Sequence, residues 1–195
     1  MTTPMRIAIT GGIGSGKSYV SRCLKKFGVT VYDCDAAAKR LMRTSRQLQE
    51  QLTELVGSDI FEGGMLQKRK LATFLLASES NKQRVNDIVH PAVAADFMAS
   101  GMTWLESAIL FESGFCKRVK FDYIVCVTAP NDIRAKRVAK RDGISIEKAT
   151  EWIDCQLPQE EMAKRSDFVI NNDGTADIEN QITNIIQNIT KTKNK

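Results

Sequence analysis

The chain has 195 residues, of which 43% are hydrophobic and 26% charged, and it carries a formal net charge of +5. This length suits one medium-sized domain, alone or with a small inserted subdomain. No run approaches 18 consecutive apolar residues, which argues against a membrane-spanning helix. The opening MTTPMRIAITGG lacks the basic segment, apolar core and cleavage site of a secretory signal, so we expect a cytoplasmic protein.

The cysteines indicate the redox state of the protein, and the mildly basic charge indicates what kind of molecule it binds. There are five cysteines, an odd number with no CxxC spacing, which indicates reduced thiols rather than disulfides or a zinc site. The positive charge suits either a nucleic acid or an anionic small molecule. Because basic and aromatic residues do not alternate, we expect no nucleic-acid partner.

The N-terminal third begins with a predicted strand, loop, helix and strand. RIAIT (6–10) is a short apolar run that leads directly into a glycine-rich loop. Gly28 favours the end of the helix that follows, and VTVY (29–32) predicts a second strand ending at Asp33. Strand–loop–helix–strand units are typical of parallel sheets. Four apolar residues have the spacing of one helix face: Val20, Cys23, Leu24 and Phe27.

Between Ala36 and about Ser100 the pattern predicts helices and no strand. Ser45 is expected to cap one helix, and Gly63–Gly64 to form a turn. We expect a later helix to be interrupted at His90–Pro91, because proline disfavours helical geometry in the residue before it. This helical block is the predicted insertion facing the substrate.

Strands and helices alternate again in the second half. The predicted strands are TWLESAIL (103–110), DYIVCVTA (122–129) and DFVIN (167–171). The predicted helices are a basic one from an Asn131 cap to Asp142, one from a Ser145 cap to about Leu157, and a final one with an isoleucine stripe from Ile178 to Ile189. The sequence therefore predicts one α/β domain with a helical insertion.

Residues 11–18, GGIGSGKS, match the pattern G-x-x-x-x-G-K-[ST] between a predicted strand and a predicted helix. Glycines allow successive backbone N–H groups to turn inward as a nest for phosphate oxygens, and the helix N-terminus adds positive potential. We expect Lys17 to reach the β- and γ-phosphates of ATP and the Ser18 hydroxyl to ligate Mg²⁺. A glycine turn that merely joins strand to helix is the alternative, which this sequence context disfavours.

The segment YDCDAAAKR (32–40) places Asp33 and Asp35 at the end of the second predicted strand. Ligands of open α/β sheets bind along the carboxyl edge of the strands. A carboxylate there accepts a proton from an acceptor hydroxyl or holds Mg²⁺ through water. Alternatively, both aspartates stabilise the N-terminus of the following helix through its dipole. The pattern alone does not decide between these roles.

The basic helix from Asn131 to Asp142 carries Arg134, Arg137 and Arg141 close to one face. Guanidinium groups neutralise charge that develops during phosphoryl transfer. A solvated basic face is the alternative. In a chain with a phosphate loop, we favour a lid over ATP.

The destination of the phosphoryl group separates the remaining candidates. The chain is short for a mechanical ATPase and has no NKxD run to read guanine, so a kinase is favoured. A nucleoside or nucleoside-monophosphate kinase would share the loop, the base and the lid. A protein that senses ATP without transferring phosphate would need neither Asp35 nor the arginines, and a nucleic-acid binder is the remotest alternative.

Taken together, these segments resemble the dephospho-CoA kinase family, in order from about residue 6 to 190. ITGGIGSGKSYV and GVTVYDCDAAAKRL are similar to its opening, GGMLQKRKLATFLLAS to its G-x-L-D-R-x-x-L segment, and VNDIVHPAV to its His-Pro helix. ESAILFESG is similar to its Pro-Leu-Leu-Phe-Glu segment, RAKRVAKRDGISIEKATEWIDCQ to its arginine lid with a trailing glutamine, and SDFVINNDG to its Ala-Asp-x-x-Ile-x-Asn ending.

The resemblance implies a three-layer α/β P-loop fold with a five-stranded parallel sheet. A helical acceptor-side subdomain at about 36–100 and an arginine lid at about 134–156 are implied within a single domain spanning 1–195. The implied activity is ATP-dependent phosphorylation of the ribose 3′-hydroxyl of dephospho-CoA, which gives CoA and ADP in the last step of coenzyme A biosynthesis. Mg²⁺ is the implied metal, and we expect a monomer or weak homo-oligomer.

Roles for individual residues follow from the same resemblance. The implied catalytic residues are Lys17, Asp35 as the base, and Arg141, with Arg137 as its companion. The implied acceptor-binding residues are Asp33, Lys68, Leu71 and His90, although His90 serves equally well as a packed histidine at a helix break. The implied ATP-binding residues are Gly12, Ile13, Gly14, Ser15, Gly16, Lys17, Ser18, Tyr19 and Arg137, with Ser18 also on the metal.

Three departures from the family pattern stand out. Tyr19 replaces a threonine after the loop serine, and Ser107–Ala108 replaces an apolar residue and a proline. Gln67–Lys68 stands where Asp-Arg is usual, so a bidentate guanidinium is replaced by a point charge. We expect Lys68 and Lys70 to share the work of that arginine.

Overall fold

The computed structural model describes residues 4–193. The expectation of a cytoplasmic protein was drawn partly from residues 1–3, which lie outside the described residues. Among the described residues, 4–32, 102–112 and 120–193 form one compact unit, which we call the sheet unit. Asp33–Gly101 and Ser113–Val119 form a second, which we call the helical unit. Within the described residues, no helix combines the length and apolar character needed to cross a membrane.

A five-stranded sheet is central to the fold. Its strands are β1 (Ile7–Thr10), β2 (Val31–Asp33), β5 (Trp104–Glu106), β6 (Tyr123–Thr128) and β7 (Phe168–Asn171). They are ordered β2-β5-β1-β6-β7. β1 pairs in parallel with β5 and β6, and β6 pairs in parallel with β7. Parallel neighbours require crossover connections, which the intervening helices supply. The predicted α/β fold with a parallel sheet is confirmed.

The core of the sheet unit forms where helices cover the sheet. Every residue of β1 is buried, as expected for a parallel strand covered on both faces. Helices α1 (Lys17–Lys25) and α10 (Ile178–Lys193) contribute the apolar residues Val20 and Ile182 to one cluster with the strands. Burying each such side chain contributes about 1.5–3 kcal/mol, so this cluster anchors the loop that joins β1 to α1.

Three more helices complete the sheet unit. They are α7 (Asn131–Asp142), α8 (Ile146–Asp154) and α9 (Gln159–Lys164). Ser145 caps α8 as predicted, by accepting a hydrogen bond from the Lys148 N–H. The predicted Asn131 cap is wrong: Pro130 holds the cap position of α7, and the Asn131 carboxamide oxygen instead accepts a hydrogen bond from Arg134 at 3.0 Å.

The helical unit packs around one long helix. Its helices are α2 (Cys34–Thr44), α3 (Arg46–Val56), α4 (Lys68–Ala77), α5 (Glu79–Ala99) and α6 (Phe115–Arg118). The first three contact α5. Ser45 caps α3 as predicted, by accepting from the Leu48 N–H. The apolar stripe of α5 that these helices bury includes Val85, Val89, Val93 and Phe97.

Two predictions for the helical unit are wrong. The helix is not interrupted at His90–Pro91, because α5 continues through the proline. Proline removes one helical hydrogen bond, and the buried stripe on both sides of it offsets that loss. The block also contains a hairpin of β3 (Phe61–Glu62) and β4 (Met65–Leu66) around the predicted Gly63–Gly64 turn. Strands of two residues are too short to show a period-2 pattern.

A third prediction gives a strand that is too long. The strand expected over 103–110 ends at Glu106, and turns follow it. Apolar residues such as Leu110 are buried after the strand has ended, which explains the apparent length of the pattern.

Candidate functional site

The loop Gly11–Ser18 joins β1 to α1 with a conformation that requires glycine. Gly16 caps α1 with φ +94°, and a Cβ there would lie 2.0 Å from the Asn172 Nδ2. A Cβ at Gly12 would lie 2.1 Å from a terminal nitrogen of Arg134. The first turn of α1 contains no acidic residue. The N-terminus of α1 thus keeps its positive potential, as an anion site requires.

Side chains from the second half of the chain hold the loop carbonyls. The Arg134 Nε donates to the Ile13 oxygen at 3.0 Å. The Asn172 Nδ2 donates to the Ser15 oxygen at 2.8 Å. Arg137 donates to the Gly14 and Ser15 oxygens at 3.3 and 3.4 Å. Since the loop oxygens are satisfied in this way, the N–H groups are the polar groups that the loop offers to a phosphate.

Lys17, the signature lysine, lies folded against the start of the loop. Its Nζ donates to the Gly11 oxygen at 2.7 Å and to the Gly12 oxygen at 3.2 Å, and only 8% of the residue is exposed. Burial raises the pKa of the nearby Cys126 thiol to about 11, against the opposing influence of Lys17 and Arg134. The thiol is therefore uncharged near neutral pH and does not neutralise either cation.

Arg134 is a buried cation, with 3% of its surface exposed. Its hydrogen-bond partners at the loop and in α7 are neutral: the Ile13 carbonyl and the Asn131 carboxamide. Burial lowers the pKa of Arg134, while Glu160 and Asp154 act in the opposite direction. Among the described residues, no carboxylate oxygen lies within 4 Å of this guanidinium. A buried charge without such a partner is costly, so this arrangement favours an anionic ligand at the loop.

Glu106, at the end of β5, is oriented by two serines of α1. One carboxylate oxygen accepts from the Ser21 hydroxyl at 2.8 Å, and the other accepts from the Ser18 hydroxyl at 3.3 Å. The parallel pairing of β1 with β5 sets Glu106 opposite Ile9 at the carboxyl edge of the sheet. A hydroxyl and a carboxylate, both hard oxygen donors, thus meet at the predicted metal ligand Ser18.

Gln156, two residues past the end of α8, also reaches the loop. The Gln156 Oε1 accepts from the Ile13 N–H at 2.6 Å. The same oxygen would lie 3.1 Å from a Cβ at Gly12. Gln156 therefore holds one of the N–H groups of the loop itself.

A cleft of about 390 Å³ opens beside the C-terminal end of the loop. Tyr19 is half exposed there, and the Arg22 guanidinium lies 5.8 Å from the centroid of its ring. The cleft is large enough to take part of a nucleotide. It is lined by Gly16, Tyr19, Arg137, Asn172, Gly174, Ala176 and Ile178.

Arg141, the predicted catalytic arginine, is engaged elsewhere. It lies exposed at the end of α7, where its Nε and a terminal nitrogen donate to the two carboxylate oxygens of Asp142 at 2.9 and 2.7 Å. This pairing raises the pKa of Arg141. Of the three arginines on the basic helix, Arg134 and Arg137 are the ones that bond the loop.

The two aspartates expected to meet the acceptor hydroxyl belong to the helical unit. Asp33 caps α2 by accepting from the Ala36 N–H at 2.9 Å, as the helix-dipole alternative expects. Asp35 lies exposed in the first turn of that helix.

The other three residues predicted to bind the acceptor lie further along the helical unit. Lys68 is the exposed first residue of α4, and Leu71 is buried one turn later. Lys70 is paired with Asp59 at 2.6 Å. His90 is partly buried in α5; burial and Arg118 lower its pKa, while a backbone hydrogen bond with Ser113 and the carboxylates of Asp87 and Asp35 oppose this shift.

Sequence reasoning gave no individual role to Glu106, Gln156 or Asn172. All three lie inside segments quoted for the family resemblance. Glu106 and Asn172 also sit at or just past the end of a strand, where ligands of parallel sheets bind, and that position was the signal available. Gln156 had no comparable local signal.

Comparisons with known proteins agree on one family. The family model described as dephospho-CoA kinase matches residues 5–177. The dephospho-CoA kinase of Bacteroides fragilis strain YCH46 is 42% identical over 189 residues, which cover 93% of this chain and 91% of that protein.

Solved structures are similar over nearly the whole chain. The crystal structure of TT1252 from Thermus thermophilus has a TM-score of 0.81 and 31% identity, covering 95% of this chain and 97% of that one. Dephospho-CoA kinase from Campylobacter jejuni, with a TM-score of 0.66 and 21% identity over 96% and 98% of the two chains, supports the fold. The resemblance predicted from the sequence is confirmed, and the chain belongs to the dephospho-CoA kinase family.

Proposed function

We propose that this chain transfers the γ-phosphoryl group of ATP to the ribose 3′-hydroxyl of dephospho-CoA, which gives CoA and ADP. The observation that carries the transfer is the loop Gly11–Ser18, whose carbonyls are held by Arg134, Arg137 and Asn172. Family membership supplies the acceptor. The reaction requires positioning and positive charge more than covalent chemistry from the protein.

ATP binds with its phosphates at the N–H groups of Gly12–Ser18 and its base near Tyr19 in the adjoining cleft. Lys17 moves from the loop carbonyls to the β- and γ-phosphates. Arg134 and Arg137 supply positive charge beside the transferring group, where charge is spread over the equatorial oxygens. Arg141 contributes charge from the end of α7 if its pairing with Asp142 opens.

The residues at Ser18 fit a magnesium ion. Mg²⁺ is usually held by one or two protein oxygens together with substrate phosphates and waters, rather than by an all-protein cage. Ser18 and Glu106 offer a hydroxyl and a carboxylate within 3.3 Å of each other, and no group of three or more metal-ligating His, Cys, Asp or Glu side chains occurs in the described part of the chain. When bound, Mg²⁺ neutralises phosphate charge and orients the transferring group.

Asp35 is the base that accepts the proton of the ribose hydroxyl. The Asp33 carboxylate is already engaged as the cap of α2, which favours Asp35 for this role. Lys68, Leu71 and His90 bind the acceptor from α4 and α5. Asp35 influences the pKa of His90, so these two residues are close enough to interact.

Transfer of labelled γ-phosphate tests the proposal. The enzyme is offered ATP and Mg²⁺ with dephospho-CoA, adenosine, AMP, CMP or water as acceptor. We expect the label in CoA alone. Label in adenosine or a nucleotide would assign the chain to another kinase activity, and release as free phosphate would exclude a kinase.

We further propose that the enzyme acts in the cytoplasm as a monomer or weak homo-oligomer, without a nucleic-acid partner. Sedimentation at micromolar concentration, with and without ATP, tests the oligomeric state. A stable dimer that persists on dilution would contradict it.

A further inference from the structure

The contact between Gln156 and the loop concerns a donor that a phosphate would also use. The Gln156 Oε1 accepts a hydrogen bond from the Ile13 N–H at 2.6 Å, and this N–H has only one hydrogen to donate. A phosphoryl oxygen is an acceptor of the same kind and carries more charge. The two acceptors therefore compete for one hydrogen.

The surroundings of the Ile13 N–H favour an anionic acceptor. Its present acceptor, the Gln156 carboxamide oxygen, is neutral and comes from the segment after α8. The Gly12–Ile13 segment also lies against Arg134, whose buried guanidinium bonds neutral acceptors at the loop. An anionic oxygen that replaced Gln156 at Ile13 would thus arrive beside a cation that favours it.

The position of Ile13 along the loop indicates which phosphate competes. The N–H groups of Lys17 and Ser18 open α1 and suit the inner phosphates of a nucleotide. Ile13 lies nearer the other end of the loop, where it contacts Arg134 of α7 and Gln156. This separation favours the outermost phosphate.

We propose that Gln156 is a positioning residue that senses the terminal phosphate of ATP. In the nucleotide-free enzyme its carboxamide oxygen holds the Ile13 N–H. A terminal phosphoryl oxygen replaces it, which frees the segment after α8 only when a triphosphate is bound. The inference rests on the proposed function to the extent that ATP binds at this loop.

Substitutions of Gln156 separate sensing from a structural role. In Gln156→Met the side chain keeps its approximate length but loses the acceptor, so ATP no longer competes with it. We expect ATP to bind about fivefold more tightly, since one hydrogen bond contributes roughly 1 kcal/mol, while ADP affinity changes less than twofold. In Gln156→Glu the carboxylate is a stronger acceptor and repels phosphate, so ATP affinity falls about tenfold or more and ADP affinity falls less.

A matched control exists in the same unit. The Gln159 Oε1 accepts from the Ala129 N–H at 3.2 Å, which is the same kind of contact away from the loop. Gln159→Met is expected to leave both nucleotide affinities unchanged. Thermal melts of all variants identify any that fail to fold. If Gln156→Met fails to fold, the ATP-to-ADP affinity ratio of Gln156→Glu alone tests the proposal.

The measurement is calorimetric titration of ATP and ADP with Mg²⁺, without acceptor. An ATP-to-ADP affinity ratio that rises in Gln156→Met and falls in Gln156→Glu supports the proposal. An unchanged ratio, or equal weakening of both nucleotides, overturns it and leaves a structural hydrogen bond. Failure of the proposed function is a separate result. In that case the variants give the expected ATP-to-ADP affinity ratios, but the wild-type enzyme binds ATP without transferring label to CoA.

Discussion

The phosphate loop, Gly11–Ser18, and the helical unit hold their polar side chains in different ways. At the loop, buried or half-buried groups such as Arg134 and Asn172 each fix a particular backbone oxygen. In the helical unit, the residues proposed to meet the acceptor include exposed side chains such as Asp35 and Lys68. The proposed ATP site is therefore preorganised, whereas the residues proposed to bind the acceptor include exposed side chains on packed helices.

This difference accounts for one of the three departures from the family pattern. The change at Gln67–Lys68 lies at the start of α4, where Lys68 is exposed and Gln67 makes no side-chain capping bond. Comparable changes at the loop would meet neighbouring atoms at once, as the 2.0 Å approach to a Cβ at Gly16 shows. Substitutions are thus expected to be severe at the loop and mild in the helical unit, apart from the base.

Asp35→Asn is the strongest challenge to this rule, because it changes an exposed residue. An amide cannot accept the proton of the ribose hydroxyl, so turnover should fall about a thousandfold while the Kd for ATP stays unchanged. Steady-state kinetics with dephospho-CoA and calorimetry with ATP measure the two effects. Asp33→Asn is the control, since asparagine remains a good helix cap and should cost less than tenfold. Equal loss of ATP affinity would instead assign Asp35 to the metal.

Arg134→Lys tests the preorganised side directly. Lysine lacks the fork that lets one side chain bond both the Ile13 carbonyl and Asn131, so turnover should fall about a hundredfold and the Kd for ATP should rise. The matched variant is Arg141→Lys, on the same helix but exposed, and we expect a change of less than threefold in both constants. A larger loss of turnover in Arg141→Lys than in Arg134→Lys would instead assign the main catalytic charge to Arg141, as the family resemblance implies.

Gln67→Asp restores the family residue at the start of α4. Gln67 occupies the N-cap without a side-chain hydrogen bond, and aspartate there should add about 1 kcal/mol to the free energy of unfolding. Denaturant unfolding of the full chain measures this, with Gln67→Ala as the control that should not stabilise. No gain from aspartate would mean that the first turn of α4 is already satisfied in another way.

His90→Gln should have the smallest effect on the free energy of unfolding, and this effect is a change in its pH dependence. The folded-state pKa of His90 lies below its ordinary value of about 6.5, mainly through burial. The unfolded chain therefore binds more protons, and this contribution to stability is complete above pH 6.5 and is lost as the pH falls through the folded pKa. The variant should lose stability less steeply than wild type below pH 6.5. Parallel curves would show that Asp87 and Asp35 compensate for the burial.

Local features of the fold could be predicted wherever a few consecutive residues determine them. The end of α7 at Asp142, the serine caps at Ser45 and Ser145 and the Gly63–Gly64 turn were all predicted correctly. Each depends on short-range hydrogen bonding or backbone freedom. The continuation of α5 through Pro91 could not be predicted, because the packing of its buried stripe outweighs a local preference.

By itself the sequence determined the phosphate loop, the strands of the parallel sheet in chain order and the family, because each depends on adjacent residues and their periodicity. Only the tertiary structure decided which side chains serve the loop. Arg134, Gln156 and Asn172 bond it across 121, 143 and 157 positions of sequence. No spacing rule extends over such distances. These contacts exist because β6 and β7, which precede Arg134 and Asn172, pair in parallel beside β1 and bring their carboxyl ends to one edge of the sheet.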